Sequence, residues 1–224
     1  TIGVDRLINI ERVVGTKFGD MIYGSDRAVN EVLRGNGGDD TLSGGTGTGT
    51  DLGLNLVDYW AAPGSVTVDL LQGRAWGADG NDVLYGFMGI IGSQFDDQLT
   101  GNASNNYFEG FGGNDTIDGG AGNDRASYSA ELSSVRIDLT AGKAYTSSGV
   151  DTLISIESMR GSEFSDELRG NEGHNDFQSR AGDDTVLAGA GDDTVHGGKG
   201  NDAIDGGAGT DTARFTGARA DYLI

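Results

Sequence analysis

From Ser179 to Arg214 the chain reads SRAGDDTVL, AGAGDDTVH, GGKGNDAID, GGAGTDTAR: four consecutive nine-residue units with a glycine-rich turn, an aspartate at position six and an apolar residue at position eight. A period this short constrains the fold severely, because each unit must repeat one conformation and bury its apolar residue by stacking on its neighbours. Six residues of each unit are turn formers. The last three, such as Thr194-Val195-His196, suit a short strand with its middle residue inward. The expected class is all-β, a solenoid of stacked strands and turns.

The same template, G-G-x-G-x-D-x-U-x with U aliphatic, fits Gly110 to Asp118 and Gly119 to Ser127, and more weakly the units starting at Gly15, Gly35, Gly77, Gly92, Gly101, Gly161 and Gly170. A longer repeat overlies it. GTKFGDMI, GSQFDDQL and GSEFSDEL begin at Gly15, Gly92 and Gly161. VDYWAAPGSVTVDLLQGRAW (from Val57) aligns without a gap with ASYSAELSSVRIDLTAGKAY (from Ala126), by the same shift that carries Gly92 onto Gly161. The chain thus reads as three copies of one unit: an incomplete block over 1–52, a second over 53–127, and a third over 128–224 that gains two nonapeptides before Phe215.

Glycine is 41 of 224 residues, about 18% against roughly 7% in ordinary proteins, but a single proline and no three-residue period exclude collagen. A net charge of −20 makes the compact chain self-repelling unless cations sit among its carboxylates, and makes nucleic acid a poor partner. With no cysteine, a metal must be held by oxygen. No apolar run reaches the length of a membrane span. The opening TIGVDRLINIERVVG lacks an initiator Met and a signal-peptide pattern, so the chain is expected to be a piece of a longer one.

Glycines at these positions let the turn visit positive φ or approach an object closely. The position-six aspartate adds an anionic oxygen beside exposed carbonyls, the donor set Ca²⁺ prefers, and two stacked loops are needed to supply enough ligands. If strands alternate between two sheets, a full coil takes two nonapeptides, which pairs Asp184 with Asp202, Asp193 with Asp211, Asp97 with Asp115 and Asp166 with Asp184. Position eight offers only one small inward residue per unit (Ile117, Ala126, Val186, Val195, Ile204, Ala213), a thin core. Metal is therefore expected to contribute much of the folding free energy, and the apo chain to be expanded.

The nonapeptide resembles the repeats-in-toxin (RTX), or hemolysin-type calcium-binding, repeat of proteins exported by Gram-negative type I systems; DTLISIESMRGSEFSDEL and SVRIDLTAGKAY resemble the spacers between such repeats. The resemblance implies a parallel β-roll holding several Ca²⁺ ions by position-six aspartates and by carbonyls of the first four positions. The aspartates would be Asp115, Asp124, Asp184, Asp193, Asp202 and Asp211, with Asp20, Asp40, Asp82, Asp97 and Asp166 in the weaker units. The backbone ligands would come from Gly110, Gly112 and Gly113; Gly119, Gly120, Ala121 and Gly122; Gly182; Ala188, Gly189, Ala190 and Gly191; Gly197, Gly198, Lys199 and Gly200; and Gly206, Gly207, Ala208 and Gly209. Position six is Gly49, Asn106 or Asn175 in three units, whose sites are expected to be weak or empty. Two calcium-rich stacks, near 92–127 and 161–214, and a degraded one near 15–49 follow. The family also implies export unfolded and folding outside the cell, and FTGARADYLI resembles a closing strand in which Phe215, Tyr222 and Ile224 cap the last coil.

The residues give no sign of an enzyme. The two histidines, His174 and His196, fall at variable repeat positions with no His-Glu-x-x-His, and no Gly-x-Ser-x-Gly elbow exists. Glu11 and Glu157 occupy matching places, but Met88 stands there in the second copy, which argues against catalysis. Phe18, Phe95 and Phe164, Tyr59 with Tyr128, and Trp76 with Tyr145 recur between copies and are read as core; a sugar-stacking platform at Trp60 and Trp76 is the sharper alternative. The expected function is a calcium-folding scaffold module of a secreted protein. The alternatives are an adhesive module that binds polysaccharide or its own copies, and the appended domain of an exported hydrolase or epimerase.

Overall fold

A computed structural model describes residues 10–25, 30–45 and 54–215. Gly49, with its weak or empty site, Tyr222 and Ile224, expected to cap the last coil, and parts of the first block lie outside the described residues. Every described element is a short strand, and the strands form two sheets, one of ten and one of thirteen. Short strands are what the nonapeptide allows. In the repeats, successive strands alternate between sheets, so neighbours within a sheet are two nonapeptides apart and parallel: Thr185–Leu187 pairs with Ala203–Asp205, and Thr194–His196 with Thr212–Arg214. The protein is a parallel β-roll.

The spacers do not cross the roll. They lie within the thirteen-stranded sheet as antiparallel meanders. Strand Asn55–Asp58 of the ten-stranded sheet leads into Val66–Asp69, which turns back through Arg74–Gly77 to Gly80–Tyr85 before the chain returns at Gly89–Ile91. The third block repeats this with Arg136–Asp138, Lys143–Tyr145 and Val150–Ile154. Because the flanking strands of each meander run parallel to the roll, both sheets continue past it without a break.

The core is one line of inward side chains per sheet. Ile117, Ala126, Val186 and Val195 are buried as expected, but Ile204 is only half-buried and Ala213 is exposed, because both belong to the final coil with no further coil described on top. The core is also less thin than position eight of the best repeats suggests: Phe108, Phe177 and Met159 are fully buried in the ten-stranded sheet.

Some recurring aromatics turn out differently. Tyr59 and Tyr128 are buried, whereas Phe18, Phe95 and Phe164 are 67%, 46% and 44% exposed, and Trp76 and Tyr145 are 42% and 37% exposed. The three phenylalanines stand at position four of a turn, outside the strands, so their recurrence marks an equivalent ridge position rather than core. Trp76 and Tyr145 sit on the outer face of the middle meander strand, flanking the buried Ala75 and Ala144.

Candidate metal centre

Turns leading out of the ten-stranded sheet stack along one edge of the roll, and return turns along the other. On both edges the position-six side chain accepts a hydrogen bond from the position-six N–H one coil earlier. Asp97 N–H donates to Asp115 Oδ1 at 2.9 Å, Asp166 to Asp184 at 2.8 Å, Asp184 to Asp202 at 3.1 Å and Asp193 to Asp211 at 3.0 Å. These are the four pairs expected from a coil of two nonapeptides. The bond also joins Asp20 to Asp40 within the first block and Asp40 to Asp82 of the second, at 2.7 and 2.9 Å, across longer coils.

Two rungs escaped the sequence reading. Asp115 N–H donates to Asp151 Oδ1 and Asp124 N–H to Glu157 Oε2, both at 2.9 Å. The alignment of the second block with the third pointed to Asp151, the counterpart of Asp82. Glu157 had no such signal, since its counterpart is Met88. The histidines stand off the ladder, His174 exposed and His196 half-buried on the outer side of its strand.

The turns fall into two kinds, distinguished at positions two and four. In the first kind, position two is Thr16, Ser93, Asn102, Ser162 or Asn171. Its N–H donates to the position-six side chain, at 2.5 Å for Ser93 to Asp97 and 2.7 Å for Ser162 to Asp166. Its side-chain oxygen accepts the position-four N–H, as Phe95 N–H to Ser93 Oγ at 3.1 Å. Such a turn closes on itself. Asp97 and Asp166 are further satisfied by the Val66 and Val135 N–H groups, both at 2.8 Å, and by the serine hydroxyls at 2.8 and 2.7 Å. Asn106 and Asn175 turns are closed as well, with Nδ2 donating to Met88 and Glu157 carbonyls.

In the second kind, positions two and four both have left-handed φ: Asn36 and Gly38, Phe111 and Gly113, Gly120 and Gly122, Arg180 and Gly182, and the pairs Gly189/Gly191, Gly198/Gly200 and Gly207/Gly209. The position-two amide no longer reaches the carboxylate. Asp40, Asp115, Asp124, Asp184 and Asp193 each keep a buried Oδ2 without a hydrogen-bond partner. An unpaired buried anionic oxygen is costly. Burial pushes the Asp115 carboxyl up to about 8, helped by the charges of Asp151, Asp97 and Asp96, and Asp184 up to about 7 by burial and by Asp166, Asp202 and Asp183. Burial likewise raises Asp124 to about 6, and shifts Asp40 and Asp193 upward. In the last described coil Asp202 is half-buried and Asp211 exposed.

These oxygens suit a hard cation. Those of Asp40, Asp115 and Asp124 lie against the backbone of the glycine at their own position one: a Cβ at Gly119 would come within 2.6 Å of Asp124 Oδ2. Among the described residues no three carboxylate or imidazole side chains converge, so a cation would complete its shell with turn carbonyls, which Ca²⁺ accepts readily. Paired turns one coil apart, buried anionic oxygens and adjacent carbonyls define a calcium-binding β-roll. The chain matches the family model for the RTX calcium-binding nonapeptide repeat over residues 29–50, 74–89, 91–126, 156–186 and 178–213, more than half its length, and belongs to that family. No curated protein matches it. Its repeats bind calcium, and repeat modules of this family are structural rather than catalytic.

Proposed function

We propose that this module folds when calcium fills the open turns, after export, and then serves as an extracellular scaffold of a protein carried by a type I system. The observation carrying this reading is the set of five buried, partnerless Oδ2 atoms at Asp40, Asp115, Asp124, Asp184 and Asp193. Without an ion they oppose folding together, along a chain of net charge −20; near-millimolar calcium removes that opposition. The calcium ligands are the aspartates of the seven open turns, Asp202 and Asp211 included, with carbonyls of the glycine positions. Asp20, Asp97 and Asp166 hold turns closed by hydrogen bonds and bind no ion of their own. No helix among the described residues is long and apolar enough to cross a membrane.

The test is a calcium titration starting in chelator, followed by far-UV circular dichroism with magnesium as control. A cooperative gain of β signal with calcium alone is expected. A spectrum already folded in chelator and unmoved by calcium would overturn the folding switch.

A second reading, adhesion to polysaccharide, draws on the exposed tryptophans. A guanidinium covers Trp60, with Arg34 Cζ 5.8 Å from the ring, and Arg136 covers Tyr145 at 4.5 Å, so Trp76 is the ring to test in a glycan-binding screen.

A further inference from the structure

The ladder of aspartates on the outgoing edge is not continuous; each spacer interrupts it with a particular side chain. Asp82 and Asp151 stand at the same place in two copies, each accepting the N–H of an open-turn aspartate (Asp40 and Asp115) on Oδ1. Their Oδ2 atoms are not orphaned. Tyr59 hydroxyl donates to Asp82 Oδ2 at 2.7 Å and Tyr128 hydroxyl to Asp151 Oδ2 at 2.9 Å, both tyrosines being buried. On the far side of each spacer the ladder restarts with the Val66 or Val135 N–H on a closed turn.

The turns that lead into Asp82 and Asp151, each near the start of its strand, stack on the open turns. Gly38 N–H donates to the Asp79 carbonyl at 3.1 Å, Val150 N–H donates to Asn114 Oδ1 at 3.0 Å, and Gly149 lies so close under the Gly113 carbonyl that a Cβ there would collide with it. A buried carboxylate in a stacked turn therefore exists at both places, and the tyrosine hydroxyl takes up the Oδ2 that the open-turn aspartates leave bare. A neutral donor satisfies the oxygen without adding charge or demanding six ligands.

We propose that Tyr59 and Tyr128 are metal-free terminators of the calcium ladder, dividing it into separate cells of three rungs. Two such cells are Asp20–Asp40–Asp82 and Asp97–Asp115–Asp151, each opening on a hydroxyl-closed turn, carrying one ion-demanding carboxylate in the middle and ending on a tyrosine. Asp166–Asp184–Asp202 begins in the same way, and among the described residues no tyrosine hydroxyl meets Asp202. The spacer thus sets where calcium binding stops, which lets blocks be added or lost without coupling their ion sites.

This inference rests on the calcium reading above, and the experiment separates the two. Bound calcium per chain is counted by equilibrium dialysis and atomic emission for wild type, Tyr59→Phe, Tyr128→Phe and the double variant. One additional ion is expected for each hydroxyl removed, two in the double variant. A wild-type chain that binds no calcium overturns the calcium reading itself; calcium-binding variants with the wild-type count overturn the terminators. Should the phenylalanine variants fail to fold at saturating calcium, the count is made on Asp151→Asn, for which the wild-type number is expected and the loss of one ion overturns the proposal.

Discussion

Turns 92–97 and 110–115 are neighbours on one edge, share the aspartate at position six and are joined by the Asp97 N–H to Asp115 Oδ1 bond, yet they are chemically opposite. In the first, Ser93 supplies both its N–H and its hydroxyl to Asp97, and every carboxylate oxygen is used. In the second, Phe111 and Gly113 take left-handed φ, and Asp115 Oδ2 is left bare. What separates a turn whose carboxylate is fully hydrogen-bonded from one that leaves an anionic oxygen bare is thus not the aspartate but the residues four and two places before it. In the cells that begin at Asp20 and Asp97 a closed turn stands beside the open one, a hydrogen-bonded platform on which it stacks, whereas Asp184 and Asp202, and Asp193 and Asp211, place two open turns side by side.

The largest effect expected from breaking this contrast is at position four. Gly113 has φ +106°, and a Cβ there would lie 2.5 Å from the Phe95 carbonyl carbon and 2.6 Å from Asp96 N. Both are backbone of the adjacent turn and cannot yield without unstacking the coil. Gly113→Val should abolish the calcium-induced β signal of the second block or displace its calcium midpoint by more than tenfold, whereas Phe95→Ala, at position four of the closed turn, should leave the midpoint near wild type. Equal effects in the two would remove the distinction between the turn kinds.

Exchanging aspartate for asparagine sharpens the contrast by changing its sign. Asp184→Asn keeps an oxygen for the Asp166 N–H, bonded at 2.8 Å, and neutralises the bare Oδ2. It should lose one bound ion and raise the calcium midpoint at least tenfold. Asp166→Asn instead turns an NH₂ toward donors, since both carboxylate oxygens already accept hydrogen bonds. It should keep the ion count and lose about 2–3 kcal/mol of stability in urea unfolding at saturating calcium, the cost of buried donors left unpaired. Loss of an ion from Asp166→Asn would make the closed turns calcium sites after all.

Much of this was legible in the sequence. Nine-residue spacing implied the two parallel sheets and the four aspartate pairs one coil apart, because a solenoid converts sequence period directly into spatial neighbourhood. What escaped were contacts made by residues outside the beat. Tyr59 and Tyr128 recur, which suggested core, and they are buried, but nothing in their spacing shows that each hydroxyl ends on a carboxylate. Phe18, Phe95 and Phe164 recur as regularly and are exposed, since recurrence reports an equivalent environment and not a buried one. Two fully buried aromatics, Phe108 and Phe177, stand at position eight of the asparagine-containing units, whose match to the template is weak.

The smallest expected effect tests which part of Ser93 closes its turn. Ser93 Oγ donates to Asp97 Oδ1 at 2.8 Å and accepts the Phe95 N–H at 3.1 Å, while its own N–H holds Asp97 Oδ2 at 2.5 Å. Ser93→Ala removes the hydroxyl and leaves the amide. Because the amide bond depends on the φ of residue 93, which alanine retains at ordinary negative values, Asp97 should stay satisfied and no ion should enter. The expected loss is about 1–2 kcal/mol for the two hydrogen bonds of the hydroxyl, read as a lower urea midpoint at saturating calcium with the ion count unchanged. An extra ion in Ser93→Ala would mean that the hydroxyl, and not the backbone conformation, keeps calcium out of the closed turns, and the boundary between the two kinds of turn would then move with a single side-chain oxygen.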